Sequence, residues 1–331
     1  MSHSGTTLVL IMAIAVLAPL LAYGVSRRLP VPLAIFEILL GILVGPAVLD
    51  WARPSELVDG LSELGLTMLI FLTVVMAFGA VGEFGPIIAM ALLLSGRGAG
   101  ESTVLLAVFA ALTAGAVLWA LRPRPPWFSR VIARTLHSSG QFAVRFVFLL
   151  LALMLGASEA LGLDVLLGAF AAGLITRLVL AGAAPAYGPQ ILEKVEAVGF
   201  GFLVPVFFVV TGIEFDLGSL LDGGRSLLLL PVFLLLFLVV RGGPIWFLAP
   251  RDLGLKDRGG LVLYGSTALP LVVAITTIGV DDGTMTAGEA AALVGAGMFS
   301  VLLFPLFALK ARAEAGKEAL PADRGGGSEA W

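Results

Sequence analysis

Long apolar runs, separated by short stretches of Gly, Pro and charged residues, follow one another along the whole chain. A helix needs about 20 residues to cross a hydrocarbon layer of roughly 30 Å, and most of these runs reach that length. Helices also satisfy their own backbone hydrogen bonds in lipid. The pattern therefore predicts an all-α polytopic membrane protein with about ten apolar segments, near 7–26, 31–49, 61–95, 102–121, 141–161, 163–181, 197–215, 226–249, 259–280 and 287–309.

The composition agrees with lipid as the main solvent. The chain is 59% hydrophobic and only 13% charged, about half the charge of a typical soluble domain. It has no Cys, and its two His lie outside the apolar runs, so thiolate, haem and zinc chemistry are not expected and no cofactor is predicted. No basic stripe marks a nucleic-acid partner.

The positive-inside rule orients the segments. It predicts an external N-terminus and a cytoplasmic C-terminus. The excess of Arg over Lys and the abundance of Ala, Gly and Leu suggest a bacterial source, so the membrane is expected to be the bacterial inner membrane. The transmembrane domain is expected to cover 1–311, and the polar, Gly-rich residues 312–331 are expected to form a disordered cytoplasmic tail. The basic residues that set this orientation are Arg27 and Arg28, the arginines of 122–134, Lys194, Arg251, Lys256, Arg258, Lys310, Arg312 and Lys317.

Segment 61–95 does not fit a single crossing, because the loops on both sides of it carry few basic residues and are predicted to be external. A straight helix of this length would be roughly 50 Å long, which is too long for the bilayer. The charge pattern requires an even number of crossings and predicts a tight hairpin that turns around Val74–Gly79. A single tilted and kinked helix is the alternative.

Glu83 lies inside this same segment, with Gly82, Gly85 and Pro86 around it. A carboxylate in hydrocarbon costs a few kcal/mol even on lenient insertion scales, so such a residue indicates a functional site. Gly and Pro allow a helix to open its backbone toward an ion. Glu83 is therefore predicted to carry a proton or a cation. The alternative is a protonated side chain packed between helices, or one at a hairpin mouth in contact with water.

Four strings, taken together in their order and spacing, resemble the bacterial monovalent cation:proton antiporters of the sodium/hydrogen exchanger superfamily. The resemblance extends from Leu8 to Leu309. The strings are PLAIFEILLGILVGP at 32–46, LSELGL at 61–66, LDVLLGAFAAGL at 163–174 and PVFFVVTG at 205–212.

This resemblance implies secondary transport, in which Na⁺ or K⁺ is exchanged for H⁺ by alternating access, and not an enzyme. A core domain would rock against a scaffold built from the first two spans and the 163–215 region. The implied partners are the lipid bilayer, monovalent cations and protons, and a homodimer is left open. Glu83 occupies the position of the ion-binding Asp of the family.

Four more residues are candidates for ion or proton binding. The family has a basic residue at the position of Arg241 and a second unwound helix at 264–270, where the hydroxyls of Ser266 and Thr267 and freed carbonyls could coordinate a cation. It also has an acid at the position of Glu37. The alternatives are a structural or snorkelling arginine, an ordinary proline kink and a hydrogen bond at a helix interface.

The chain also departs from the family, whose members have about thirteen helices. A Gly-Leu-Glu motif and the unwound helix that follows it have no counterpart here. About two and a half helices therefore look deleted near 72–80, and the predicted exchanger-like bundle is incomplete. This leaves a second hypothesis, a transport-inactive remnant that acts as a structural or interaction partner in the membrane. An ion channel is the weakest hypothesis, because no selectivity-filter repeat is present.

Overall fold

The computed structural model describes residues 3–26, 31–76, 99–122, 126–135, 141–183, 187–222, 224–250, 253–267, 269–281 and 283–318. Every regular element within these ranges is helical. The first nine helices are α1 His3–Ser26, α2 Leu33–Val44, α3 Glu56–Met76, α4 Ala99–Ala120, α5 Pro126–Thr135, α6 Phe142–Ala160, α7 Val165–Ala183, α8 Gly188–Val198 and α9 Val204–Ile213. The later ones are α10 Leu217–Asp222, α11 Gly224–Phe237, α12 Gly243–Leu248, α13 Leu255–Gly265, α14 Leu269–Asp281 and α15 Ala287–Glu318.

Eight stretches of helix in the described ranges are long and apolar enough to cross a membrane. Two of them contain a π-helical turn, Gly199–Leu203 between α8 and α9 and Leu238–Gly242 between α11 and α12. The all-α membrane prediction is confirmed. Two predicted segments differ from the helices in the structure. Segment 31–49 contains only the shorter helix α2, and segment 259–280 is divided into α13 and α14. Helix α15 continues to Glu318, past the domain boundary expected at 311.

The helices form two bundles. Helices α1–α9 make the first bundle, in which α3, α7 and α9 are central, and α10–α15 make the second bundle, which is organised around α15. The bundles meet where α2 and α3 approach α14 and α15. Ile38 and Phe207 of the first bundle and Val272 and Ala292 of the second belong to one apolar cluster at this interface.

Glycines allow the closest backbone contacts in the first bundle, as is typical of membrane helices. A side chain at Gly41 of α2 would collide with the carbonyl oxygen of Val209, and one at Gly212 of α9 would collide with that of Ile38. Gly173 of α7 offers the same kind of groove to α3, since an added Cβ would lie 2.9 Å from the carbonyl oxygen of Phe71. These crossings fix the relative positions of four helices.

Helices α3 and α7 run in the same direction. Near their first turns the charge of Glu63 acts on Asp164, whereas near their last turns Val75 and Arg177 line one cavity of about 340 Å³. These two ends of the molecule are called the Asp164 end and the Arg177 end below. Burial raises the pKa of the Asp164 carboxyl above its ordinary value. The backbone N–H of Leu166 donates it a hydrogen bond of 2.8 Å, which lowers this pKa by a smaller amount.

Helix α4 fixes the direction of the chain after α3. Its last residue, Ala120, has its carbonyl oxygen 4.0 Å from the position of a side chain at Gly182, near the end of α7. As a spanning helix of 22 residues, about 33 Å long, α4 therefore begins at the Asp164 end. Met76 and Ala99 thus lie at opposite ends of the molecule.

The described helices on either side of 77–98 thus have the relative directions that the hairpin prediction for 61–95 requires, and the number of crossings stays a prediction. Of the predicted turn, Val74–Met76 belong to α3, which is a continuous helix over its 21 described residues. In a helix the backbone N–H groups of Val74–Met76 donate to carbonyls one turn earlier, which satisfies them in an apolar environment. The remainder of that turn, Glu83 and the second arm lie outside the described residues.

Site-directed labelling tests the arrangement of the two ends, and the chain's lack of Cys makes every introduced thiol unique. We expect Arg122→Cys and Lys310→Cys to react with a membrane-impermeant maleimide from one side of the membrane. Asp59→Cys should react from the opposite side, because Asp59 lies in the first turns of α3. Labelling of all three from one side would contradict the arrangement. The orientation rule predicts that the shared side of Arg122 and Lys310 is the cytoplasm.

Candidate functional site

Arg241 lies in the π-helical turn Leu238–Gly242, and its side chain is half-buried. The turn precedes Pro244, which has no N–H to donate to the preceding turn of helix. Single π-helical turns of this kind occur often at functional sites. The same combination occurs once more in the described chain, where Gly199–Leu203 precedes Pro205.

Ser266 and Thr267 lie in the break between α13 and α14, as the sequence predicted for an interrupted helix. The hydroxyl of the fully buried Ser266 donates a hydrogen bond of 2.7 Å to the carbonyl oxygen of Val262. The hydroxyl of Thr267 donates one of 2.9 Å to the carbonyl oxygen of Tyr264. Each hydroxyl oxygen keeps lone pairs that can accept a proton donor or coordinate a cation.

The turn that carries Arg241 and the break that carries Ser266 pack directly against each other. A Cβ atom placed on Gly242 would lie 2.7 Å from the Oγ atom of Ser266. One placed on Gly265 would collide with the side chain of Ile245. Two irregular pieces of backbone are therefore held in contact inside a membrane protein, which is the setting in which helix carbonyls and hydroxyls bind ions.

Glu37 lies in the other bundle. Its helix, α2, packs against α1, α9 and α15. The side chain is only 2% exposed, and among the described residues its Oε1 atom has no hydrogen-bond partner. The structure thus groups Arg241, Ser266 and Thr267, and places Glu37 apart from them. The position of Glu83 falls outside the described ranges.

An open cavity of about 460 Å³ separates the two bundles at the Asp164 end. Three carboxylates and three hydroxyls line it, together with apolar side chains. The sequence analysis did not predict this cavity, although Glu214 and Asp216 directly follow α9. The polar lining consists of Asp59, Thr211, Glu214, Asp216, Thr276 and Thr277.

Asp216 is the best-defined acid of this lining. It accepts hydrogen bonds of 2.8 Å from the backbone N–H of Ser219 and of 2.5 Å from the Ser219 hydroxyl. These bonds lower the pKa of the Asp216 carboxyl below its ordinary value of 3.8, so it is ionised at neutral pH. Asp216 therefore brings a negative charge to the cavity wall. Among the described residues, no cluster of His, Asp and Glu has the form of a metal site.

Comparison with known proteins decides the family. The family model described as "Sodium/hydrogen exchanger, transmembrane" matches residues 12–73 and 72–309. The chain belongs to the sodium/hydrogen exchanger family. This confirms the resemblance that its sequence strings indicated.

Several relatives in the exchanger family are similar to parts or most of the chain. The putative Na⁺/H⁺ antiporter YjbQ of Bacillus subtilis (strain 168) is 26% identical over 313 residues, which are 90% of this chain and 46% of that protein. The Na⁺/H⁺ antiporter NhaS5 of Synechocystis is 35% identical over 132 residues, 39% of this chain and 18% of the relative. A Na⁺/H⁺ antiporter of Enterococcus hirae is 37% identical over 62 residues, 19% of this chain and 16% of the relative. The chain thus spans about half the length of YjbQ, and less of the others is matched.

The two family-model matches meet at residues 72–73, at the start of the stretch 72–80 where a deletion is predicted. In the structure α3 passes through this point without interruption. Leu72 is fully buried, and its side chain lies 2.5 Å from the position that a Cβ atom on Gly199 would take. The side chain of Val74 packs against Gly173. The helix is well packed on both sides of the meeting point. An internal deletion there stays a prediction.

Proposed function

We propose that this exchanger-family chain is a secondary transporter that exchanges Na⁺ or K⁺ for H⁺ by alternating access, in the inner membrane of a bacterium. Family membership and relatives named as Na⁺/H⁺ antiporters support the exchange of a cation for a proton. Eight apolar helices support a multi-pass position in the bilayer. No described feature favours an enzyme or the transport-inactive remnant over this proposal.

The cavity between the two bundles carries the proposal. Alternating access requires two bodies that move against each other around a site that each side of the membrane can reach in turn. The first and second bundles are such a pair. Among the described residues, α2 and α3 of the first bundle pack against α14 and α15 of the second, and Phe207 of α9 belongs to the apolar cluster between them. The cavity opens along this interface, and its carboxylates would concentrate cations at the entrance.

The proposed roles of the residues follow from their chemistry. Glu83 would hold the proton and the cation alternately, because a carboxylate can bind either one. The guanidinium of Arg241 stays charged at all relevant pH values and could compete with the cation for the same acid. Ser266 and Thr267 would offer hydroxyl and nearby carbonyl oxygens to a dehydrated cation. Glu37 is the remaining candidate for proton binding.

An exchange assay with the purified full chain in proteoliposomes tests the proposal. A pH gradient, acid inside, is followed with a pH-sensitive dye while Na⁺, K⁺ or choline is added outside. We expect Na⁺ or K⁺ to collapse the gradient and choline to leave it intact, and the comparison shows which cation is used. Protein-free liposomes give the leak rate. Collapse no faster than that leak, with either cation, would rule out exchange by this chain.

A further inference from the structure

We propose that Glu37 is a second proton-binding site, located in the wall formed by α1, α2 and α9, and that release of its proton requires α2 to separate from α9. The site is distinct from the contact between Gly242 and Ser266, which lies in the other bundle. The proposal of a proton site is argued from the position and burial of Glu37 on α2. Only its coupling to transport rests on the proposed exchange function.

The first observation is the position of Glu37 on its helix. Residues three, four and seven positions apart share one face of a helix. Glu37 therefore shares a face with Leu40, Gly41 and Val44, and these residues belong to the contacts with α1 and α9. The carboxyl group is one helical turn from the Gly41–Gly212 crossing, where the two backbones touch.

The second observation is the missing partner. Helix α2 is apolar apart from this one carboxyl group, which lies near the middle of its length. The group is 2% exposed, and its Oε1 atom accepts no hydrogen bond from any described residue. An isolated ionised carboxylate in such surroundings costs much more free energy than the neutral acid. The packed state shown by the structure is therefore the state with a proton on Glu37.

The charged groups on the neighbouring helices do not change this conclusion. Helix α1 has no charged residue from Gly5 to Val25, and its one titratable side chain there is Tyr23 near the end. Helix α9 has no titratable residue from Val204 to Ile213. In the span of α15 the titratable side chains are Glu289 and Lys310, one near each end. No described cation stands opposite the middle of α2.

Loss of the proton would force a structural change. The O–H bond of the Glu37 acid breaks, the proton passes to water, and a carboxylate remains in an apolar wall. That charge must reach water, and the tight crossing at Gly41 and Gly212 blocks access as long as it is closed. Because Ile38 on the adjacent face packs in the cluster shared with the second bundle, movement of α2 would also reach the interface between the bundles.

Infrared difference spectroscopy of the purified chain in lipid tests the site without any transport. Between acidic and alkaline buffer, we expect the wild-type chain to lose a C=O stretching band of a protonated carboxyl group. Glu37→Gln should lack that band, Glu37→Asp should shift it, and Glu63→Gln should keep it, because Glu63 is exposed at the Asp164 end. A wild-type band that is unchanged in Glu37→Gln, or that does not respond to pH, would overturn the proposal.

Amide hydrogen exchange tests the movement. After correction for the intrinsic effect of pH, exchange in α2 and α9 should rise at alkaline pH in the wild-type chain and stay constant in Glu37→Gln. Equal behaviour of the two proteins would refute the separation of α2 from α9. In the liposome assay, Glu37→Gln should lose the part of the pH dependence that follows the infrared titration. A titrating Glu37 in a chain without exchange would keep the proton site and reject the transport function.

Discussion

Gly212→Leu is expected to prevent correct assembly of the first bundle. The new Cβ atom would collide with the carbonyl oxygen of Ile38, and the Cα of Gly41 and the backbone N of Ile42 are each only 2.9 Å away. All of these are backbone atoms, so no rotamer change can relieve the collision and α2 must move away from α9. Overpacking of side chains alone costs about 1–3 kcal/mol, and we expect a larger loss here, above about 3 kcal/mol.

Thermal stability of the detergent-solubilised chain, followed by fluorescence-detected size-exclusion chromatography, measures this effect. Gly41→Leu should behave like Gly212→Leu, since the two glycines form one crossing. The matched control is Gly115→Leu in α4, where nothing lies within 4 Å of the new Cβ atom and the residue is exposed. A Gly212→Leu chain as stable as the Gly115→Leu control would show that α2 and α9 are not packed as described.

Arg241→Gln is expected to reduce exchange about tenfold or more, which corresponds to roughly 1.4 kcal/mol of lost stabilisation. Glutamine keeps polar atoms at the position but removes the permanent charge that we propose competes with the cation. Arg241→Lys should retain part of the activity, because the lysine ammonium is also a cation. The liposome assay measures the rates, and size-exclusion chromatography verifies that each variant is folded.

Arg122→Gln is the matched control for the arginine variants. Arg122 is an exposed arginine just after α4, far from the turn that holds Arg241. It should exchange at the wild-type rate. If Arg241→Gln also transported at that rate, Arg241 would have only a structural role, and the contact at Ser266 would no longer support the proposed ion site.

The sequence predicted most of the spanning helices because their signal is local. Runs of apolar residues mark the lipid-embedded length, whatever the helix packs against. The ends are less well determined. Segment 31–49 becomes a helix that stops at Val44, since Gly45 and Pro46 end it while the next residues are still apolar. Segment 197–215 extends back to Gly188, because the charged residues of α8 hide its first turns from a hydropathy count.

The candidate site was predictable only in part, for a different reason. Arg241, Ser266 and Thr267 could be named from the resemblance to antiporters, and the break at 266–267 follows from the local sequence. The contact between Gly242, next to Arg241, and the hydroxyl of Ser266 depends on how α11–α13 pack. The cavity could not be predicted from the sequence at all. Asp59 and Thr276 both line it, although more than 200 residues separate them in the chain. No local pattern encodes such a meeting.

The division into two bundles also determines where the chain can bend. The described chain passes from the first bundle to the second only once, through Glu214, Phe215 and Asp216 between α9 and α10. All three residues line the cavity. Any rotation of one bundle relative to the other must therefore be absorbed by the dihedral angles of this short connection. This connection therefore forms part of the cavity wall, and turning it would change the shape of the cavity that we propose as the cation entrance.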